Sequence, residues 1–248
     1  MAAEKRTAFV SGSGRNIGRA IAVGLATQGI NVVVNGGRNR AACEETAELC
    51  RQQGVQALVA MGDVGRSEEV RTIAEAALAQ FGTVDIVVNN AAVRPTRPFL
   101  EIEEAAWKHV IETNLYSAFY TSRAFLPGMV AKKWGRIVNF SGMNAIHGYG
   151  GGGSAISASK HGLWGMTKAL AKEFGPSGVT VNIVSPGPIR KADGSAGGHH
   201  GGSEELTRIP VGRVGEPEDI GSLVVFLCSD GGGFITGQMI ASNGGLQT

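Results

Sequence analysis

Two polar residues near the middle of the chain have types and surroundings suited to chemistry at an oxygen-bearing substrate. Ser141 follows the apolar run RIVNF, and Lys160 closes the small-residue phrase ISASK on a segment with helical spacing. A serine that ends a strand presents its hydroxyl at a sheet margin. Residues four apart on a helix are neighbours on one face, so position 156 lies beside Lys160. Ser157, Ala158 and Ser159 keep that face slim. No base pattern accompanies Ser141, and the sequence around it is not the G-x-S-x-G of a nucleophile. A hydroxyl that positions an oxygen is the better expectation.

A second motif, SGSGRNIG at residues 11–18, follows the first apolar run and opens a helical pattern. Glycines at 12, 14 and 18 permit a tight turn. With Ser13, Arg15, Asn16 and Ile17 they form the kind of loop that brings backbone N–H groups and a helix N-terminus to a pyrophosphate. In a strand–turn–helix context the motif predicts a dinucleotide site. After the second strand, where a carboxylate would hold a free ribose 2′-hydroxyl, residues 35–40 read NGGRNR. Arg15 and Arg38 suit a 2′-phosphate instead, because a guanidinium fork matches phosphate oxygens. NADP(H) is favoured over NAD(H).

The elements that must position these residues alternate. Strands are predicted at 7–11, 31–35, 55–61, 84–89, 136–140, 179–184 and 238–241. Helices are predicted from 17 to Gly29, at 40–53, 67–81, 154–174 and 217–228, with one long helix at 103–132. Short connections between alternating strands and helices imply parallel strands joined by right-handed crossovers. The fold class is therefore α/β, a single Rossmann-type doubly wound domain over 1–248 with about seven strands and helices on both faces.

At this point the motifs resemble the short-chain dehydrogenase/reductase family, over nearly the whole chain. SGSGRNIG resembles its TGxxxGxG turn, with Asn16 where the middle glycine usually stands. Asp63 and Val64 resemble the segment that contacts adenine, and Asn90, Ala91 and Ala92 lie in a phrase similar to NNAG. Asn114 matches the asparagine of the long helix, and Ser141 the catalytic serine. Ser185-Pro186-Gly187-Pro188-Ile189 resembles the PG motif beside the nicotinamide. The resemblance implies a nicotinamide cofactor held by Lys160, Pro186, Gly187 and Ile189 among others, and a homotetramer or homodimer. It also implies a catalytic set of Asn114, Ser141 and Lys160 with a tyrosine. A lid would span about 190–209, where Lys191 replaces a usual threonine.

That tyrosine is missing. The family phrase YSASK is here Ile156-Ser157-Ala158-Ser159-Lys160. An ammonium one helical turn away would lower a phenol's pKa toward neutrality, and Ile has no proton to give. Three alternatives stay open: a slowed carbonyl reductase, an acid supplied from elsewhere, or different chemistry. Tyr149, in the glycine-rich loop at 148–153, is the candidate acid, and His147 a weaker one. Different chemistry would mean a conjugated enone substrate, or a lyase or isomerase reaction. From another class, the chain is a nucleotide-binding protein with impaired catalysis.

Composition narrows the rest. Charge is nearly balanced, with 23 basic and 21 acidic residues, which argues against nucleic acid or an anionic membrane as partner. Three cysteines without ligand spacing, and His199-His200 without companions, give no metal site. No apolar run has the length of a membrane span or a secretion signal, and a cytoplasmic protein with a small-molecule substrate is expected. Val93, Arg94, Pro95 and Thr96 are expected at the pocket rim, and Arg94 or Lys191 would suit an anionic substrate.

Overall fold

The computed structural model describes residues 5–142, 148, 151–191, 196–197 and 208–247. Its chain alternates β1 (Thr7–Val10), α1 (Asn16–Thr27), β2 (Asn31–Gly36), α2 (Arg40–Arg51), β3 (Ala57–Met61), α3 (Ser67–Phe81) and β4 (Ile86–Asn89). Then come α4 (Glu104–Ile111), a π turn (Glu112–Tyr116), α5 (Ser117–Lys132), β5 (Gly135–Phe140), α6 (Ser154–Phe174) and β6 (Val179–Pro186). The short strands β7 (Ile189–Arg190) and β8 (Ala196–Gly197) precede α7 (Pro217–Cys228) and β9 (Met239–Ser242).

Seven strands form one parallel sheet in the order β3-β2-β1-β4-β5-β6-β9. Successive strand side chains point to opposite faces, and both faces are covered, which is why the strands read as unbroken apolar runs. Register makes this concrete. Val33, Phe9, Val87, Ile137 and Val181 pair across five strands and enter one core with Ile73, Phe125 and Met129. Val34, Val10, Val88 and Val138, each one residue further on, enter the other with Val184 of β6 and with Ile21, Leu25, Ile220 and Val224 from α1 and α7.

A buried polar chain ties α6 to this sheet. Thr121 on α5 donates to Asn89 Oδ1 at 2.7 Å, Asn89 donates to Asn139 at 2.8 Å, and Asn139 donates to Thr167 on α6 at 2.9 Å. Each side chain is at most 5 % exposed, so each bond replaces water that the core excludes. The chain fixes the helix that carries Ile156 and Lys160.

The single helix expected at 103–132 is interrupted. Between α4 and α5 the backbone widens into a π turn centred on Asn114. Asn114 Oδ1 accepts from Val93 N and its Nδ2 donates to Val93 O, both at 2.9 Å. These two bonds to a neighbouring loop hold the bulge, a feature common where helices serve a site. The last strand also sits one residue later than expected.

Candidate active site

A doubly wound sheet binds ligands outside the carboxyl ends of its strands, where the strand order reverses. Here that point lies between β1 and β4, and a groove of about 740 Å³ opens there. Of the residues assigned to the cofactor from the sequence, Gly12, Arg15, Asn16, Ile17, Gly18, Arg38, Asp63, Val64, Asn90, Ala91, Ala92, Pro186, Gly187 and Ile189 line it, whereas Ser13 and Lys160 do not. A larger concavity, about 930 Å³, lies along α1, α2 and α7 and shares Arg15, Asn16, Arg190 and Lys191 with the groove. Thr113 and Gly142, the chain neighbours of Asn114 and Ser141, line the smaller one.

The turn at 11–18 is built around close backbone approach. Gly12 has φ +62°, a left-handed value that glycine adopts without strain. A Cβ on Gly18 would strike the carbonyl of Gly12 and come within 2.7 Å of Asn90 Nδ2. Asn90 spans the two strands, donating to the carbonyls of Ser11 and Gly12 at 3.0 Å each. Asn16 has φ +49°, where asparagine is among the few tolerant side chains. That explains how Asn16 stands in for a glycine. The N-terminus of α1 has no side-chain cap and no acid in its first turn. Backbone N–H groups at a helix start of this kind suit an anion.

Ser13 serves the turn from inside. It is fully buried, donates to the Val10 carbonyl at 2.8 Å and accepts from Asn35 N at 3.0 Å. Arg19, which carried no obvious signal in sequence, ties Gly14 to α2 through a bidentate pair with Glu45 and a bond to the Gly14 carbonyl, all at 2.8 Å. Asn35 is a second residue missed. Its amide donates to the Ala60 and Gly62 carbonyls and fixes the end of β3 against β2. Beyond β2, Asn39 caps α2 and Arg40 pairs with Glu44, whereas Arg38 lines the groove.

Ser141, Lys160 and Asn114 converge at the ends of β4 and β5. Ser141 N bonds to Val184 O at 2.8 Å, which sets the residue at the sheet margin. Its hydroxyl is buried and has no hydrogen-bond partner among the described residues. Leaving a buried hydroxyl unsatisfied costs about 1–3 kcal/mol, and Ser122, Ser154, Ser157 and Ser185 are in the same condition. Lys160 is 3 % exposed and donates to the Phe140 carbonyl at 2.6 Å. Loss of water, and next the charge of Arg94, push its amine down to about 7. Asn114 Nδ2 also reaches Ser159 Oγ at 3.3 Å, joining the π turn to α6.

Ile156, one turn before Lys160, is 6 % exposed and packs with Ala155, Val110, Val93 and Trp107. Position 156 therefore presents apolar surface and no ionisable group. Tyr149 and His147 lie outside the described residues, as do His199, His200 and most of the expected lid. The described part of that lid is a short antiparallel pair of β7 with β8, anchored where Arg190 bonds Gly215 O and Glu216. Among the described residues no cluster of His, Cys, Asp or Glu could hold a metal, and no helix is long and apolar enough to cross a membrane.

Comparison with known proteins agrees with this arrangement. A family model described as enoyl-(acyl carrier protein) reductase matches residues 12–247. The chain is 35% identical over 241 residues to 3-oxoacyl-[acyl-carrier-protein] reductase FabG of Staphylococcus epidermidis, covering 97% of this chain and 98% of the relative. It is equally similar, over 243 residues, to the Aquifex aeolicus protein of that name, with 97% of each chain covered. A crystal structure assigned to a short-chain alcohol dehydrogenase of Sinorhizobium meliloti 1021 superposes with a TM-score of 0.89 at 36% identity, covering 97% of this chain and 96% of that one. The relatives' names differ in the bond reduced and agree in the fold and the class of chemistry. The chain belongs to the short-chain dehydrogenase/reductase family and is an oxidoreductase of that type.

Proposed function

We propose that the protein is an NADP(H)-dependent oxidoreductase that moves a hydride to or from a small carbonyl, hydroxyl or conjugated enone substrate, at a site slowed by Ile156. The observation that carries this is the buried hydroxyl of Ser141, without a partner among the described residues and next in sequence to the carbonyl that holds Lys160. A nicotinamide dinucleotide, when bound, supplies or accepts the hydride.

The residues present fit such a group. The uncapped start of α1 and the Gly12–Gly18 approach suit its pyrophosphate, and Arg15 and Arg38 suit a 2′-phosphate. Asp63 and Val64 would border the adenine, and Ala91, Ala92, Pro186, Gly187 and Ile189 the nicotinamide. Lys160 would hold the ribose. Ser141 donates a hydrogen bond to the substrate oxygen. Asn114 holds Val93 and α6 in register, so that the pocket wall keeps its shape.

Proton supply is where this site is weak. Ile156 offers none, and the loss of a positioned acid lowers the rate by about 10²–10⁴. Lys160 is the buried group that exchanges a proton near neutral pH, and Tyr149 is the proposed loop acid. The apolar packing of Ile156 favours one second reading, a nucleotide-binding member with impaired catalysis.

Single-turnover oxidation of bound NADPH with ketone and enone panels separates the two. Turnover on either panel supports the oxidoreductase reading, and tight NADPH binding without turnover supports the second. Exposed Tyr116, Phe119 and Phe234 are consistent with burial between subunits of a homotetramer or homodimer, checked by light scattering. We place the protein in the cytoplasm, free of membrane.

A further inference from the structure

Backbone, small side chains and charges make up most of the groove wall, and among its described lining residues His109 is the one aromatic ring. It stands on α4, exposed at the rim of the groove. Its ring has no hydrogen bond, ion pair or ring contact among the described residues, whereas the preceding Lys108 pairs with Glu104 at 2.6 Å. Nothing in the proposed reaction uses His109.

The helix fixes where along the groove this ring stands. Thr113, four residues on, also lines the groove, and residues four apart on a helix are neighbours on one face. Thr113 is packed on the turn after β3, because a Cβ on Gly65 would lie 3.4 Å from its backbone nitrogen. The same turn carries Val64 and Asp63, and Asp63 accepts from Gly65 N at 2.9 Å. β3 is the edge strand of the sheet, whereas Gly142, Pro186 and Gly187 mark the reacting end at β5 and β6. His109 therefore stands one helical turn from the residues assigned to the adenine.

Asp63 offers hydrogen-bond acceptors and Val64 an aliphatic surface, and neither offers a flat face to a purine. An aromatic side chain packed on a base does, and such a contact is worth about fivefold or more in affinity.

We propose that His109 is a cofactor residue whose imidazole packs on the adenine ring of the bound dinucleotide. This rests on the dinucleotide reading above and adds a residue to it. The contact involves the base and not the 2′-phosphate, so it strengthens NADP(H) and NAD(H) alike. His109 sets affinity for the adenine, and Arg15 and Arg38 set the choice between the two cofactors.

Adenosine 2′,5′-bisphosphate and ADP carry the adenine without the nicotinamide, and test the contact apart from any reaction. The first measurement follows imidazole protons by NMR in protein with isotope-labelled histidine, the His109 signals being those lost in His109→Gln. On binding, either probe should move these signals upfield, the ring-current signature of a base lying over the imidazole. The second measurement is affinity by calorimetry. His109→Ala should weaken both probes and NADPH by about fivefold or more and leave reduced nicotinamide mononucleotide unchanged. His109→Phe should keep the parental affinity, and His109→Gln should behave like the alanine variant.

Binding of the probes with no upfield shift, or with an affinity that His109→Ala leaves intact, overturns the proposal and keeps the dinucleotide reading. An upfield shift with ADP, bound as tightly as the bisphosphate, supports the contact and removes only the 2′-phosphate assignment. If neither the probes nor NADPH bind, the dinucleotide reading falls and the proposal with it.

Discussion

Lys160 donates from Nζ to the carbonyl oxygen of Phe140 at 2.6 Å, and Phe140 is the last residue of β5. One bond therefore joins the helix that bears Ile156 to the strand end that bears Ser141. The amine that a ligand would meet is held by a backbone carbonyl. Its chemistry depends on burial and on Arg94.

That arrangement makes stability depend on pH in a defined direction. The Lys160 amine is pushed down to about 7 in the fold, against ~10.4 in the unfolded chain. Between those values the unfolded chain binds more protons, so this contribution to stability rises with pH across the window and is lost as pH falls toward 7. Compared with Lys160→Met, the ligand-free protein should lose about 3–5 kcal/mol from about pH 10 down to 7, then change little below about 6. Urea unfolding of both proteins across this range measures it. A constant difference between them would remove the claim that Lys160 is buried at the expense of its charge.

Ile156→Tyr should restore a proton donor beside Lys160. Ketone reduction with NADPH is expected to rise by about 10²–10⁴. The larger ring must fit where Ile156 now packs on Val110 and Trp107, at a cost of roughly 1–3 kcal/mol in stability. Steady-state rates and thermal melts check both parts. A folded variant no faster than the parent would mean that the missing acid is not what limits this site.

The turn makes opposite predictions for two neighbours. Gly18→Ala drives a methyl into the Gly12 carbonyl and Asn90, so NADPH affinity should fall by at least about tenfold as the turn opens. Asn16→Gly should be nearly neutral, because φ at this position is +49°, whereas Asn16→Val should cost roughly 1–2 kcal/mol. Fluorescence titration with NADPH and denaturation midpoints distinguish the three.

Arg38→Asp should shift preference from NADPH toward NADH, since it exchanges a phosphate partner for a ribose-hydroxyl partner. Combined Arg15→Ala and Arg38→Ala should weaken NADPH by about 10–100-fold and NADH far less, as expected for lost charge-assisted bonds. Unchanged NADPH affinity in the double variant would overturn the assignment of these arginines to a 2′-phosphate.

Thr167→Val should leave the Asn139 amide unsatisfied inside the core, because Thr167 accepts its 2.9 Å bond. The expected loss is about 1–3 kcal/mol, read from urea midpoints. A larger loss of activity than of stability would show that the polar chain sets the position of α6 as well as its attachment.

The alternation of apolar strands and amphipathic helices was legible because both sheet faces are covered, so every central strand had to be apolar along its length. The glycine spacing at 11–18, the absence of a carboxylate after β2, and Ile156 in the phrase ISASK were equally legible, since each is a matter of residue type at a fixed offset. Other features depend on contacts between segments remote in sequence. The π turn exists because Asn114 finds the backbone of Val93 across 21 residues, and helical periodicity carries no trace of that bond. That the Ser141 hydroxyl is buried without a partner among the described residues depends on packing that the sequence does not show. Lys160 was legible in sequence as a site residue by its place in ISASK, but its ionisation was not. Folding makes it an amine that titrates near neutrality, by removing its water and setting Arg94 within reach of its charge.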